Sequence, residues 1–218
     1  MFVTIEGPDG SGKTSQVNEV YQILSKRYPK VIRTREPGGT PVAEQIRGLL
    51  LNPNSNIDSY KEVLLHFAAR RDHINNLIKP KLDDGYIVIC DRFYDSTMAY
   101  QHYGLGVPLH LIYEQIQMLP IKPDLTIMLS VPWQTCVERR MKRDSGSTLD
   151  RYEQSSDAFS KRVYDGYNFI AAMNQDRCVK VDNSSSHYVH ALDTTNEIIK
   201  LIEDDINLEK GRYKYESR

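Results

Sequence analysis

Five short apolar runs punctuate the chain: Phe2 to Glu6, Val31 to Thr34, Ile87 to Cys90, Leu125 to Ser130 and Val179 to Val181. Between them apolar residues recur every three to four positions, over Lys13 to Tyr28, Pro41 to Leu51, Tyr60 to Leu82, Ser96 to His102, Leu109 to Leu119, Trp133 to Arg143, Ser155 to Asn174 and Tyr188 to Ile206. A short unbroken apolar run suits a strand buried on both faces, whereas the longer periodicity suits a helix with one apolar side. The alternation predicts an α/β fold in three layers, a five-stranded parallel sheet flanked by helices. No internal repeat or low-complexity linker interrupts it, so 1–207 reads as a single domain and 208–218 as a polar C-terminal tail. Ligands of parallel sheets bind beyond the carboxyl ends of the strands, which makes the residues just after each run the place to look for chemistry.

The first run leads directly into Gly7-Pro8-Asp9-Gly10-Ser11-Gly12-Lys13-Thr14, the G-x-x-x-x-G-K-[ST] spacing of a phosphate-wrapping loop. Its glycines let successive backbone N–H groups converge on one anion, and the helix that follows adds its positive end. Lys13 supplies a point charge for the β and γ phosphates of a nucleoside triphosphate, and the Thr14 hydroxyl suits a phosphate-bound Mg²⁺. After the second run stands Arg35-Glu36-Pro37-Gly38-Gly39-Thr40, a turn presenting one base and one acid, which by itself reads equally well as a surface ion pair. After the third stands Asp91-Arg92-Phe93-Tyr94-Asp95-Ser96. Asp91 occupies the place of the acid that handles Mg²⁺ through its water shell, and Arg92 is a planar donor suited to a phosphate or, structurally, to an ion pair with Asp95 or Glu36.

Composition narrows the partners. The chain has 218 residues, 28 Lys plus Arg against 29 Asp plus Glu, and so lacks the basic field that sequence-independent nucleic-acid binding requires. Cys90, Cys136 and Cys178 are far apart, and His187 and His190 lack a third ligand, which argues against a zinc site or a disulfide framework and for a reducing, cytoplasmic setting. No apolar run approaches ~18 residues and no leader precedes the first strand, so neither membrane nor export is expected.

Taken together, GPDGSGKT, REPGGT, DRFYDSTMAYQ and TLDRYEQSSDAFSKRV resemble the thymidylate kinase family, in order from Met1 to about Asn174. The resemblance implies the P-loop NTPase fold of nucleoside monophosphate kinases, ATP as donor, Mg²⁺, dTMP as acceptor, and a homodimer built through helices. It implies that Asp9 faces the acceptor sugar 3′-hydroxyl and the metal's water shell, and that Arg47 and Arg92 hold the dTMP phosphate. Ser96, Thr97, Tyr100 and Gln101 would line the nucleoside pocket, with Glu36 nearby, Thr97 or Gln101 reading the base edge and Tyr100 crowding the 2′ position. Phe67 would stack on thymine and Arg71, one turn on, would reach a thymine carbonyl. Taken alone, Phe67 belongs to the stripe Val63, Phe67, Ile74, Ile78 and reads as core.

The run Arg139-Arg140-Met141-Lys142-Arg143 followed by Asp144-Ser145-Gly146-Ser147 reads by itself as a solvated helix end. The resemblance makes it a lid, about 139–152. Because Gly10 stands where the eukaryotic type carries an arginine, the catalytic cation would come from that lid, from Arg139 or Arg143, with Arg151 a further candidate. The adenine site is marked only by Val181-Asp182-Asn183. The acceptor, a phosphate monoester with second pKa near ~6, is its own nucleophile and needs no base. Two other readings stay open: a kinase of another monophosphate or of a deoxynucleoside, with Glu36 as base, and a GTPase-like switch. The switch would need N-K-x-D, which is absent, and D-x-x-G, which occurs only as Asp9 to Gly12 inside the loop.

Overall fold

The computed structural model of the chain describes residues 1–144, 150–185 and 188–216. Strands β1 (Phe2–Glu6), β2 (Val31–Arg35), β3 (Ile87–Asp91), β4 (Leu125–Ser130) and β5 (Cys178–Asp182) form one parallel sheet in the order β2-β3-β1-β4-β5. The central β1 and β3 are buried at every position, while the edge strands β2 and β5 are buried only in part, as a sheet covered on both faces requires. Alternate residues feed two cores. Val3, Ile5, Ile89 and Ile127 pack on Val17, Val20 and Leu24 of α1 (Lys13–Arg27) and on Ile198 and Ile202 of α9 (Tyr188–Glu216). On the other face Phe2, Val88 and Met128 meet residues of the remaining helices, including Phe67, Ile74 and Ile78.

Those remaining helices are α2 (Pro41–Leu51), α3 (Ser59–His73), α4 (Lys79–Asp83), α5 (Tyr94–Thr97), α6 (Leu109–Gln117), α7 (Trp133–Asp144) and α8 (Asp157–Met173). Thr40, Asp58 and Ser156 cap α2, α3 and α8 by accepting from Ala43, Lys61 and Phe159 backbone N–H groups. Two wider π-helical turns were not foreseen: Ile74–Ile78 joins α3 to α4, and Met98–Gly104 continues α5. A second departure lies at the end. Helix α9 runs on past the expected end at Ile206 to Glu216, so the backbone of 208–216 is helical, because extending an established helix adds a hydrogen bond for each residue fixed. Residues 145–149 of the expected lid lie outside the described residues, as does His187. No helix among the described residues is long and apolar enough to cross a membrane.

In this register Ile5 stands beside Asp91, which brings the exits of β1 and β3 together. The phosphate loop leaves one and Arg92 follows the other.

Candidate active site

A cavity of about 590 Å³ opens at the carboxyl edge of the sheet, within the range usual for small-ligand sites. Its floor is the loop from Gly7 to Thr14. Gly7, Gly10 and Gly12 all have positive φ, and a β-carbon at Gly10 would also collide with the Cys136 carbonyl at the start of α7. The first turn of α1 has no side-chain cap, which leaves its N–H groups for an anion. Lys13 is buried and donates to the Pro8 carbonyl at 2.8 Å, with Asp9 3.9 Å away. Burial and the Arg92 charge push its pKa down to about 8. Ser11 is buried beneath the loop, and Asn183 donates to its carbonyl at 2.6 Å, so the strand-end residue expected to touch adenine braces the phosphate loop.

Thr14 Oγ1 donates to Asp91 Oδ2 at 2.7 Å, while Asp91 Oδ1 is buried with no partner. A hydroxyl beside a carboxylate with an unused oxygen suits Mg²⁺, which takes one or two protein oxygens and fills its shell with water and phosphate. Among the described residues no cluster of three His, Cys, Asp or Glu competes for a metal.

Arg92 adopts φ +71°, the only residue other than glycine with positive φ among those described. Two hydrogen bonds to Glu6 hold the turn that follows: Phe93 N–H to Oε1 at 2.6 Å and Ser96 Oγ to Oε2 at 2.7 Å. The guanidinium so placed donates to Gly7 O, Ser96 Oγ and Tyr167 OH through one nitrogen, and through the other to Asp9 Oδ1 at 2.5 Å and Tyr100 OH at 3.3 Å. Neither Asp95 nor Glu36 is its partner: Asp95 is held by Arg177, and Glu36 by Arg70. Tyr100 OH donates to the second Asp9 oxygen at 2.7 Å. Burial opposes the Asp9 charge, but Arg92, Lys13 and Tyr100 outweigh it and hold the carboxyl well below the usual carboxylate range. Burial and the nearby Asp95 charge push Glu6 up to about 7.

The deeper end corrects the sequence expectation by one residue. Phe67 is buried in the core with Val63, Ile74 and Ile78, and Arg71 turns outward to the Met118 carbonyl at 2.7 Å. Their neighbours His66 and Arg70, also one helical turn apart, line the cavity. Arg70 donates to Glu36 Oε2 at 2.7 Å and to Thr97 Oγ1 at 3.1 Å, with its Nη1 buried and unpartnered. Glu36 also meets His73 Nδ1 at 3.1 Å. It is therefore neither a surface acid nor a base open to a hydroxyl. Gln101 Nε2 donates to Glu62 Oε2 and Tyr152 OH, each at 3.1 Å, and its Oε1 is buried and unpartnered. Burial, with Arg70 and Arg151 nearby, pushes the His66 pKa down to about 3, so its ring is neutral. Arg47, across the cavity, donates to Pro37 O at 2.9 Å.

The cations of the expected lid have separate partners. Arg139 grips backbone carbonyls of Gly10, Asn183, Ser184 and Ser185 at 2.8–3.4 Å. Arg140 bonds Ser160, and Arg151 pairs with Glu62 at 2.7 Å. Arg143 lines the cavity, half exposed, with Glu153 at 2.5 Å and close enough to help lower the Asp9 pKa.

The family model described as thymidylate kinase matches residues 5–193. Thymidylate kinases of Gluconobacter oxydans and Wolbachia pipientis are 43% and 41% identical, over 84% and 93% of this chain and 86% and 100% of their own. The crystal structure of thymidylate kinase from Ehrlichia chaffeensis superposes with a TM-score of 0.74 at 37% identity, covering 93% of this chain and 98% of that one.

Proposed function

This chain belongs to the thymidylate kinase family, and from that membership we propose how its own residues divide the work. The reaction moves the γ-phosphoryl group of ATP to dTMP, giving dTDP and ADP. One observation carries the assignment of the acceptor site: a buried donor, Arg70 Nη1, and a buried acceptor, Gln101 Oε1, both unpartnered, on residues lining the same cavity. Thymine offers an acceptor at O4 beside the N3–H donor, the complement of that pair. Cytosine offers the reverse. An unsatisfied buried group costs about 1–3 kcal/mol, which the matching base relieves. His66 packs against the ring, and Thr97 and Glu36 act through Arg70.

Arg92 and Arg47 bind the dTMP phosphate, and Asp9 accepts from the sugar 3′-hydroxyl beside Tyr100. The dianionic phosphate attacks in line, so the protein's contribution is position and charge. Lys13 and the backbone of the loop hold the β and γ phosphates, while Arg143 closes over the transferred group and excludes water. Arg139 braces the donor loop instead of entering the site. Thr14 and, through water, Asp91 would hold Mg²⁺, which would supply positive charge to the donor phosphates. Cytoplasmic location and a homodimer belong to the same reading. Tyr60 and Leu64 on α3 and Met118 after α6 leave more than half of their surface exposed, a face suited to a second copy.

Offering dTMP, dCMP and thymidine in parallel with MgATP tests the acceptor assignment. The expected outcome is kcat/KM for dTMP at least about 100-fold above dCMP, with thymidine inert. Preference for dCMP or thymidine would reverse it.

A further inference from the structure

Glu62 is a buried carboxylate on α3 that no step of the reaction uses. Its two oxygens have separate partners. Oε1 pairs with Arg151 Nη2 at 2.7 Å. Oε2 accepts from Tyr152 OH at 2.8 Å and from Gln101 Nε2 at 3.1 Å. A carboxylate can only accept, so the tyrosine proton points to Glu62 and the phenolic oxygen turns its lone pairs outward, where Gln101 Nε2 and Arg151 Nη2 donate at 3.1 and 3.2 Å. Both neighbours at that end of the Gln101 amide are therefore acceptors. A flipped amide would set its oxygen against two other oxygens, so Oε1 must be the atom left over, buried and unpartnered.

We propose that Glu62 is a specificity-positioning residue, which fixes the Gln101 amide so that its oxygen and not its nitrogen meets the base. The inference rests on Gln101 reading the base edge, as assigned above. An acceptor at that position suits the N3–H of thymine and repels the N3 lone pair of cytosine. If residue 62 could also donate, either amide orientation would be satisfied and the reading would blur. Discrimination would narrow without reversing, because Arg70 still faces the 4-position of the ring.

The test is the ratio of kcat/KM for dTMP to that for dCMP at pH 8 in the wild type, Glu62→Gln, Arg151→Gln, Glu62→Gln with Arg151→Gln, and Gln101→Met. Both Glu62 variants should lower the ratio about tenfold, through a higher dTMP KM and a lower dCMP KM, with the ATP KM unchanged. Arg151→Gln alone should keep it. The double variant removes both members of the ion pair and so leaves no buried charge unpaired, which preserves the test if Glu62→Gln alone does not fold. An unchanged ratio in the Glu62 variants, or an equal fall in Arg151→Gln, overturns the positioning role while leaving base reading intact. An unchanged ratio in Gln101→Met overturns base reading itself and this inference with it.

Discussion

At Arg92 a left-handed backbone conformation places the guanidinium between Gly7, Asp9 and Ser96, and two hydrogen bonds to Glu6 secure it. A conformation so unfavourable for a side chain of this size persists only where its surroundings determine it, and here it aims a fork into the cavity, where the proposed acceptor phosphate would lie. Lysine at this position keeps the charge but loses the fork. Steady-state kinetics of Arg92→Lys should show kcat/KM for dTMP lower by about 100-fold with the melting temperature nearly unchanged. Glu6 gives a pH signature. Its folded pKa of about 7 lies above the ordinary 4.5, so the folded state holds the proton more tightly, and this contribution to stability is complete below about pH 4.5 and lost as pH rises towards 7. Glu6→Gln does not titrate. Chemical denaturation from pH 4.5 to 7.5 should therefore find the wild type losing stability relative to the variant, and a constant difference would refute the shift. The loop residues and the Thr14–Asp91 pair were legible because their chemistry depends on spacing alone. The pair of α3 residues that lines the cavity was not. The stripe of Val63, Phe67, Ile74 and Ile78 already required Phe67 to face inward, leaving positions 66 and 70 on the flank beside the cavity. Following resemblance over that periodicity moved the pair by one residue.

At the level of elements, the periods of apolar positions located every strand and most helix ends. They did not reveal the π-helical turn Met98–Gly104, because an extra residue in one turn leaves no mark on so short a stretch. That turn carries Tyr100 and Gln101 into the cavity. It also packs tightly on α8, where a β-carbon on Gly166 would lie 2.7 Å from Tyr103 and one on Gly104 2.6 Å from Phe159. Gly166→Ala should accordingly lower stability by about 1–3 kcal/mol in denaturant titrations, and loosen the Tyr100 contact to Asp9 enough to raise the dTMP KM. The role of Arg139 was equally hidden, since a basic helix end does not disclose which carbonyls it will find. Because it ties the turn after β5 to the phosphate loop, Arg139→Met should raise the ATP KM by about tenfold and alter the dTMP KM by less than about twofold. Equal changes in both would make it a direct participant in transfer.

Across the whole molecule, a formal net charge of −1 coexists with a cavity lined by Lys13, Arg47, Arg70, Arg92 and Arg143. Basic side chains gather at the cavity, where the two polyanionic nucleotides of the proposed reaction would meet. If the apolar face of α3 meets a second copy, Leu64→Glu should shift sedimentation equilibrium from dimer to monomer, since a charge in such a face is costly to desolvate. A wild-type chain already monomeric at micromolar concentration would remove that assignment. The contact between Gly10 and the Cys136 carbonyl reaches furthest in evolutionary time. A lineage that placed an arginine in the phosphate loop would first have to draw α7 away from it, and α7 is the helix that carries Arg139 and Arg143. On the proposed role of Arg143, moving the catalytic cation from α7 to the phosphate loop therefore needs a movement of the backbone and not a single substitution.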